Sequence, residues 1–232
     1  MPHPNLSKIG AGKTGITNAE LDFVAPIDCR KCERLYQFIH SHREKYPDWH
    51  NGAVPSFGSI DAEILIVGLA PGLRGANAAG RPFTGDFAGD TLYSALLTHG
   101  FATGSFEKHA LDSLALRNVR ITNAAKCVPP QNKPTGDEIN TCRDAFLIPE
   151  IRRMKHLKMI LALGGIAHKA LIKTFELRQS DFPFGHFKCH TLGNGIELID
   201  SYHCSRYNVN TNRLTVEMFD EVVRYMKAQA TR

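Results

Sequence analysis

Four groups of residues in this 232-residue chain have the types and spacing to do chemistry. The first is a glycine-rich stretch, Gly68-Leu-Ala-Pro-Gly72 followed by Gly80-Arg-Pro-Phe-Thr-Gly-Asp86. Glycines let a backbone approach a ligand closely and turn N–H groups toward it. The Gly-Lys-Ser/Thr ending of a Walker loop and the G-x-G-x-x-G spacing of a dinucleotide loop are both missing. The stretch also carries Phe83, an aromatic able to stack on a flat ring, and Asp86, a carboxylate. Its bland reading is a long strand-to-helix turn, but loops of this length in compact domains are usually functional.

The second group is four cysteines. Cys29 and Cys32 form a C-x-x-C, and Cys127 and Cys142 lie far downstream. Four thiolates suit a [4Fe–4S] cluster or a tetrahedral zinc ion, and spacing does not separate the two. A redox C-x-x-C with two core cysteines is the alternative. Cys189 and Cys204 have no obvious partner and read as free thiols. The third group is the polar run Ser201–Arg213, which begins beside His203 and offers Ser205, Arg206, Tyr207 and Asn208 to phosphates or a groove. The fourth is Asn123, whose amide holds an acceptor and two donors on one face and can read the edge of a base. A structural His203 and a satisfied, buried Asn123 are the plain alternatives. His168, His186 and His190 have no comparable context and read as structural.

These residues need elements to position them. Short apolar runs bounded by turn residues read as buried strands: Glu63–Gly68, Val119–Ala125 and Met159–Gly164. Residues 185–192 and Ile196–Asp200 read as a further strand pair. Helical periodicity marks Cys29–His42, about Asp90–His99, a helix opening at Gly136 and stopping near Pro149, about Ile166–Phe175, and Leu214 to about Lys227. Strands alternating with helices predict an α/β fold with a central parallel sheet flanked by helices. Ligands in such sheets bind at the carboxyl ends of the strands. The loops 68–89, 126–134 and 201–213 all leave strand ends, and they hold the groups above.

Composition sets the frame. Hydrophobic content of 43% and charged content of 22% predict a folded core, organised as a polar arm over residues 1–25 and one domain over 26–232. A net charge of +5 is compatible with a polyanionic partner without requiring one. No apolar run is long enough to span a bilayer, so no membrane partner and a cytoplasmic location are expected. A nucleotide hydrolase using the glycine loop reads poorly, since no phosphate-binding lysine or metal-binding acidic cluster accompanies that loop.

Taken together, the motifs resemble the uracil-DNA glycosylase superfamily, and within it the iron–sulfur-containing family 5 of archaea and bacteria. The resemblance rests on Gly68–Gly72 with Gly80–Asp86, on Ile121-Thr-Asn-Ala-Ala-Lys-Cys-Val-Pro-Pro130 with Asn132-Lys-Pro-Thr135, on His203 with Asn208–Thr215, and on the order and spacing of the four cysteines. It covers about residues 26–225. It implies a four-stranded parallel sheet between helix layers and a structural [4Fe–4S] cluster on Cys29, Cys32, Cys127 and Cys142. It further implies a monomeric enzyme that flips uracil, and other deaminated or modified bases, out of DNA and hydrolyses the N-glycosidic bond to leave an abasic site. By the same resemblance Gly68, Ala70 and Gly72 approach the base, Phe83 stacks on it, Asn123 reads its edge, His203 stabilises the leaving anion and Asp86 stabilises the sugar cation or activates water.

Three departures go with the resemblance. Ala70 stands where the superfamily often carries a polar water-positioning residue. Gly72 replaces the bulky residue that excludes a thymine methyl, so a wider pocket is expected. His203-Cys204-Ser205 replaces His-Pro-Ser, which removes proline's preset backbone. Arg206 or Tyr207 is expected to fill the gap left by the flipped base. The competing expectation is a non-catalytic nucleic-acid-binding protein with a structural metal site.

Overall fold

The computed structural model describes residues 23–231; most of the expected N-terminal arm, residues 1–22, lies outside them. Helix α1 spans Glu33–Lys45. Strand β1 (Ile64–Gly68) follows, then α2 (Phe87–Thr98). A small antiparallel pair, β2 (Ala102–Thr103) and β3 (Ala115–Leu116), precedes β4 (Val119–Asn123). Helix α3 (Gly136–Cys142) runs through a π-helical turn, Arg143–Leu147, into α4 (Ile148–Arg153). Next come β5 (Met159–Leu163), α5 (Gly165–Thr174), β6 (Cys189–Thr191) and β7 (Glu197–Ser201). The chain continues with α6 (Arg206–Asn210) and α7 (Val216–Ala230).

The main sheet has the order β4-β1-β5-β7-β6. Its first four strands are parallel, as expected, and β6 adds an antiparallel edge. Every residue of β1, β4 and β5 is buried. Alternate side chains therefore feed two apolar layers, the mark of a sheet covered on both faces. Ile64, Ile66, Ile121, Leu161 and Ile199 pack under α2 and α7. Leu65, Val67, Ile160 and Leu198 pack under α5. Each such side chain contributes about 1.5–3 kcal/mol of burial, so the sheet with its two helix layers dominates stability. A third, smaller cluster joins α1 to Cys127, Val128, Cys142 and Phe146.

Several boundaries differ from the sequence reading. Helix α1 starts at Glu33, because the chain between Cys29 and Cys32 turns before helical hydrogen bonding begins. Pro149 does not stop its helix. It sits in the first turn of α4, just past the π turn, where a missing N–H costs little. The first strand of the predicted hairpin shrinks to Cys189–Thr191. Ser201–Arg213 is not all loop: Ser205 accepts from the Asn208 N–H and nucleates α6.

Candidate active site

Strands β1 and β4 end side by side, with Gly68 in register with Asn123. That pairing builds the floor of the site. A Cβ on Gly68 would stand 2.4 Å from Asn123 Oδ1 and 2.6 Å from the tip of the Phe83 ring. Only a residue without a side chain lets ring and amide meet there. Asn123 is buried and makes no side-chain hydrogen bond to any described residue, although a buried amide normally finds partners.

Phe83 is held from three sides. Its backbone has φ 52°, a left-handed conformation that costs a non-glycine residue energy and must be imposed by its surroundings. The Tyr93 hydroxyl donates to the Pro82 carbonyl at 2.6 Å. Arg81 binds Asp112 through two hydrogen bonds of 2.6 and 2.8 Å and donates to Thr84 at 2.8 Å. Both members of this ion pair are buried, and the guanidinium lies over the rings of Phe57, Tyr93 and Phe106.

Asp86 occupies the N-cap of α2, and its Oδ1 accepts from the Gly89 N–H at 3.0 Å. The other oxygen faces Gly72 and Gly75; a Cβ on Gly75 would come within 2.7 Å of it. One carboxylate oxygen is thus spent on the helix end while its twin fronts the glycine loop. Across from it, the His203 and Phe83 ring centroids are 6.0 Å apart, with planes inclined at 29°. Burial pushes the His203 pKa below its usual value, against a weaker opposite pull from the Asp86 carboxylate. Its surroundings therefore favour the neutral ring over the imidazolium.

These groups share one cavity of about 690 Å³. Ala70, Gly72, Phe83, Asp86, Asn123, His203, Ser205 and Arg206 line it, and Gly68 lies beneath. Tyr207, 72% exposed, does not line it. The Asn208 amide turns inward and donates to the His203 carbonyl at 2.8 Å. It braces the histidine's backbone. Asn132 and Arg74 also line the cavity. Arg81 and Asn132 lie inside the sequence motifs but carry no local mark of these roles, and nothing in the sequence around Asp112 or Tyr93 marks theirs.

The four cysteines are also brought together. Cys29, Cys32, Cys127 and Cys142 surround a second, small cavity beside α1. The Lys126 backbone N–H points at Cys142 Sγ at 3.2 Å. Burial raises the Cys142 thiol to about 11 and pushes Cys127 and Cys32 upward too. Behind this site a buried Glu150 accepts from Arg120 at 2.6 Å and from Lys126 at 2.9 Å, tying α4 to β4 and to the cysteine loop. Among the described residues no helix is long and apolar enough to cross a membrane.

Known proteins share this sequence pattern. The family model described as the uracil DNA glycosylase superfamily matches residues 55–227. The chain is similar to a protein of Thermus thermophilus named "Type-5 uracil-DNA glycosylase", with 41% identity over 213 residues covering 87% of this chain and 94% of that one. A Pyrobaculum aerophilum protein of the same name is 34% identical over 208 residues, covering 88% and 90%. A "Type-4 uracil-DNA glycosylase" of Archaeoglobus fulgidus is 30% identical over 183 residues, covering 76% of each chain.

Proposed function

The chain belongs to the uracil DNA glycosylase superfamily, and from that premise we propose that it is a DNA-repair enzyme that takes uracil out of the helix and hydrolyses its N-glycosidic bond. The observation that carries this reading is the convergence of Phe83, Asn123, Asp86 and His203 on one cavity, with an unpaired amide inside it. A base within the duplex cannot be reached, so the target is extruded at a cost of a few kcal/mol. Stacking on Phe83 and pairing with Asn123 offset that cost. Uracil presents an acceptor at O4 and a donor at N3, and one amide can meet both.

Cleavage leaves positive charge on the sugar and negative charge on the base. Charges developing in a water-poor site are best stabilised by groups fixed beforehand. The free oxygen of Asp86 is the anion for the sugar side. A neutral His203 donates one N–H to the base oxygen and needs no proton from solvent. Arg206, at the rim and with its guanidinium 5.6 Å from the centre of the Phe87 ring, contacts the DNA backbone. One subunit supplies every group this chemistry needs.

Cys29, Cys32, Cys127 and Cys142 hold a [4Fe–4S] cluster in this reading. The support is a buried, all-sulfur donor set with a backbone N–H aimed at one sulfur, a common feature around cluster thiolates. Among the described residues no three of these sulfurs lie within 4.8 Å of one another. A single tetrahedral zinc with bonds of about 2.3 Å would draw them to roughly 3.8 Å. The cluster's contribution is to bind α1 and the 127–142 region into one body, away from the base cavity.

The test is a uracil-containing oligonucleotide incubated with the protein and then treated with alkali. Scission at the uracil is expected. An intact strand, with binding retained, would leave only a nucleic-acid-binding protein.

A further inference from the structure

On the far face of the sheet from the base cavity, three side chains from three elements meet. His168 comes from α5, His190 from the edge strand β6 and Asp200 from β7. Their ligand atoms all lie within 4.8 Å of one another. Asp200 is fully buried, and the side chains of His168 and His190 are 2% and 8% exposed.

The hydrogen bonds around them fix where the lone pairs point. His168 Nε2 lies 2.8 Å from the Phe182 carbonyl. A carbonyl only accepts, so Nε2 carries the hydrogen and a neutral His168 has its lone pair on Nδ1. That Nδ1 faces Asp200 Oδ1 at 2.8 Å. Two electron-pair donors at this distance repel unless a positive charge sits between or beside them. The second histidine faces the other oxygen of the same carboxylate. His190 Nε2 has no hydrogen-bond partner and stands 3.6 Å from Asp200 Oδ2. Asp200 Oδ2 is likewise buried and unpartnered.

A proton on His168 would answer only half of this. It would pair Nδ1 with Oδ1 and leave Oδ2 and His190 Nε2 orphaned, at a cost of about 1–3 kcal/mol for each buried group. A cation would use all the inward lone pairs at once. An imidazole that rests its outer nitrogen on a backbone carbonyl, as His168 does on Phe182, is oriented as metal ligands are. Two nitrogens and a carboxylate suit zinc among the common divalent ions.

We infer that His168, His190 and Asp200 form a zinc-binding site, separate from the cysteines and independent of the proposed base chemistry. The ion would staple the short antiparallel edge and α5 to β7. Asp200 stands three residues before His203, so the staple also anchors the strand end from which the His203 loop departs. The edge strand pairs with β7 through Cys189, His190 and Thr191, so the ion would add a side-chain tie to a short backbone ladder.

The full-length protein, with its iron measured in parallel, is equilibrated with zinc sulfate and passed over chelating resin; zinc and iron are then counted by plasma mass spectrometry. One zinc per chain is expected, with iron unchanged by zinc loading. His190→Phe keeps the volume and removes the ligand; Asp200→Asn keeps the shape and removes the charge. Both should lose the zinc and keep the iron. The zinc K-edge spectrum of the wild type should show only nitrogen and oxygen neighbours at about 2.0–2.1 Å, with imidazole scattering beyond. The inference is overturned if the wild type retains no zinc, if either folded variant retains a full equivalent of it, or if sulfur appears at about 2.3 Å, which would put the ion on the cysteines. Should either variant fail to fold, the wild-type count and spectrum decide alone.

Discussion

Cys204 Sγ donates to the Ala88 carbonyl at 3.4 Å, which ties the loop carrying His203 directly to the first turn of the helix capped by Asp86. Cys204 is fully buried and stands where a proline was expected from the resemblance. The proline would set the backbone locally. The thiol instead fixes it by a tertiary contact between the two strand-end loops that carry the proposed catalytic pair.

That contact makes the two unassigned cysteines behave differently. Burial raises the Cys204 thiol to about 12 and seals it from solvent; partial burial raises the Cys189 thiol too, but that residue is exposed on β6. Since the thiolate is the nucleophile, iodoacetamide at pH 8 should label Cys189 in the native protein and spare Cys204 until the chain unfolds. Peptide mass mapping reads the outcome; rapid native labelling of Cys204 would mean that the His203 loop opens freely.

Asp86 has a structural and a chemical task, and two substitutions separate them. Asn is as good an N-cap as Asp, so Asp86→Asn should keep the melting temperature within a few degrees and keep DNA binding. Its single-turnover cleavage should fall by about 100-fold or more, because the neutral amide no longer faces the sugar cation. Asp86→Ala should lose the same activity and a further ~1 kcal/mol of stability. Unchanged cleavage by Asp86→Asn would remove the carboxylate from the chemistry.

Gly68→Ala places a methyl where Asn123 and Phe83 now meet. Either the ring or the amide must move, and overpacking of this kind costs about 1–3 kcal/mol. Activity on uracil should drop well beyond what that stability loss explains, since both base-binding groups are displaced together. Single-turnover rates alongside thermal melts check this; a variant that melts early yet cleaves normally would mean that neither group holds the base.

Gly72 faces the cavity with room to spare. A Cβ there meets only Asp86 Oδ2, at 3.4 Å, and its φ is not in the left-handed region. Gly72→Tyr should therefore fold and narrow the slot beside the base. Release of hypoxanthine and xanthine should fall more than release of uracil, a difference of about 10-fold for one group in an apolar wall. Equal losses across bases, measured by base-release assays, would mean the slot is not limited at Gly72.

Acid should act through two buried carboxylates. The paired hydrogen bonds from Arg81 hold Asp112 down to about 2. For Glu150, burial pushes upward, but the cations of Lys126 and Arg120 outweigh it and leave the group at about 2. Unfolded Asp and Glu titrate near 4, so both contributions are complete above about pH 4 and fade as pH falls toward 2. Each is on the order of 2–3 kcal/mol. Asp112→Asn should lower stability at pH 7 and flatten the acid limb of the stability curve. A limb as steep as that of the wild type would exclude the Arg81–Asp112 pair as its source.

The parallel sheet is legible in the residue order, because runs such as Ile64–Gly68 and Met159–Leu163 are apolar on both faces and so demand cover on both sides. The residue order also marks the strand-end loops, since glycine clusters and polar runs are local signals. How those loops meet is fixed by packing between distant segments. Asp112 reaches Arg81 across 31 residues and Glu150 reaches Arg120 across 30, pairs that no periodicity or spacing announces. The inward turn of Asn208, the Cys204 tether and the His168, His190 and Asp200 group have the same origin. Their meaning comes from which neighbours exclude water and which lone pairs are left facing one another, and only the folded chain fixes those.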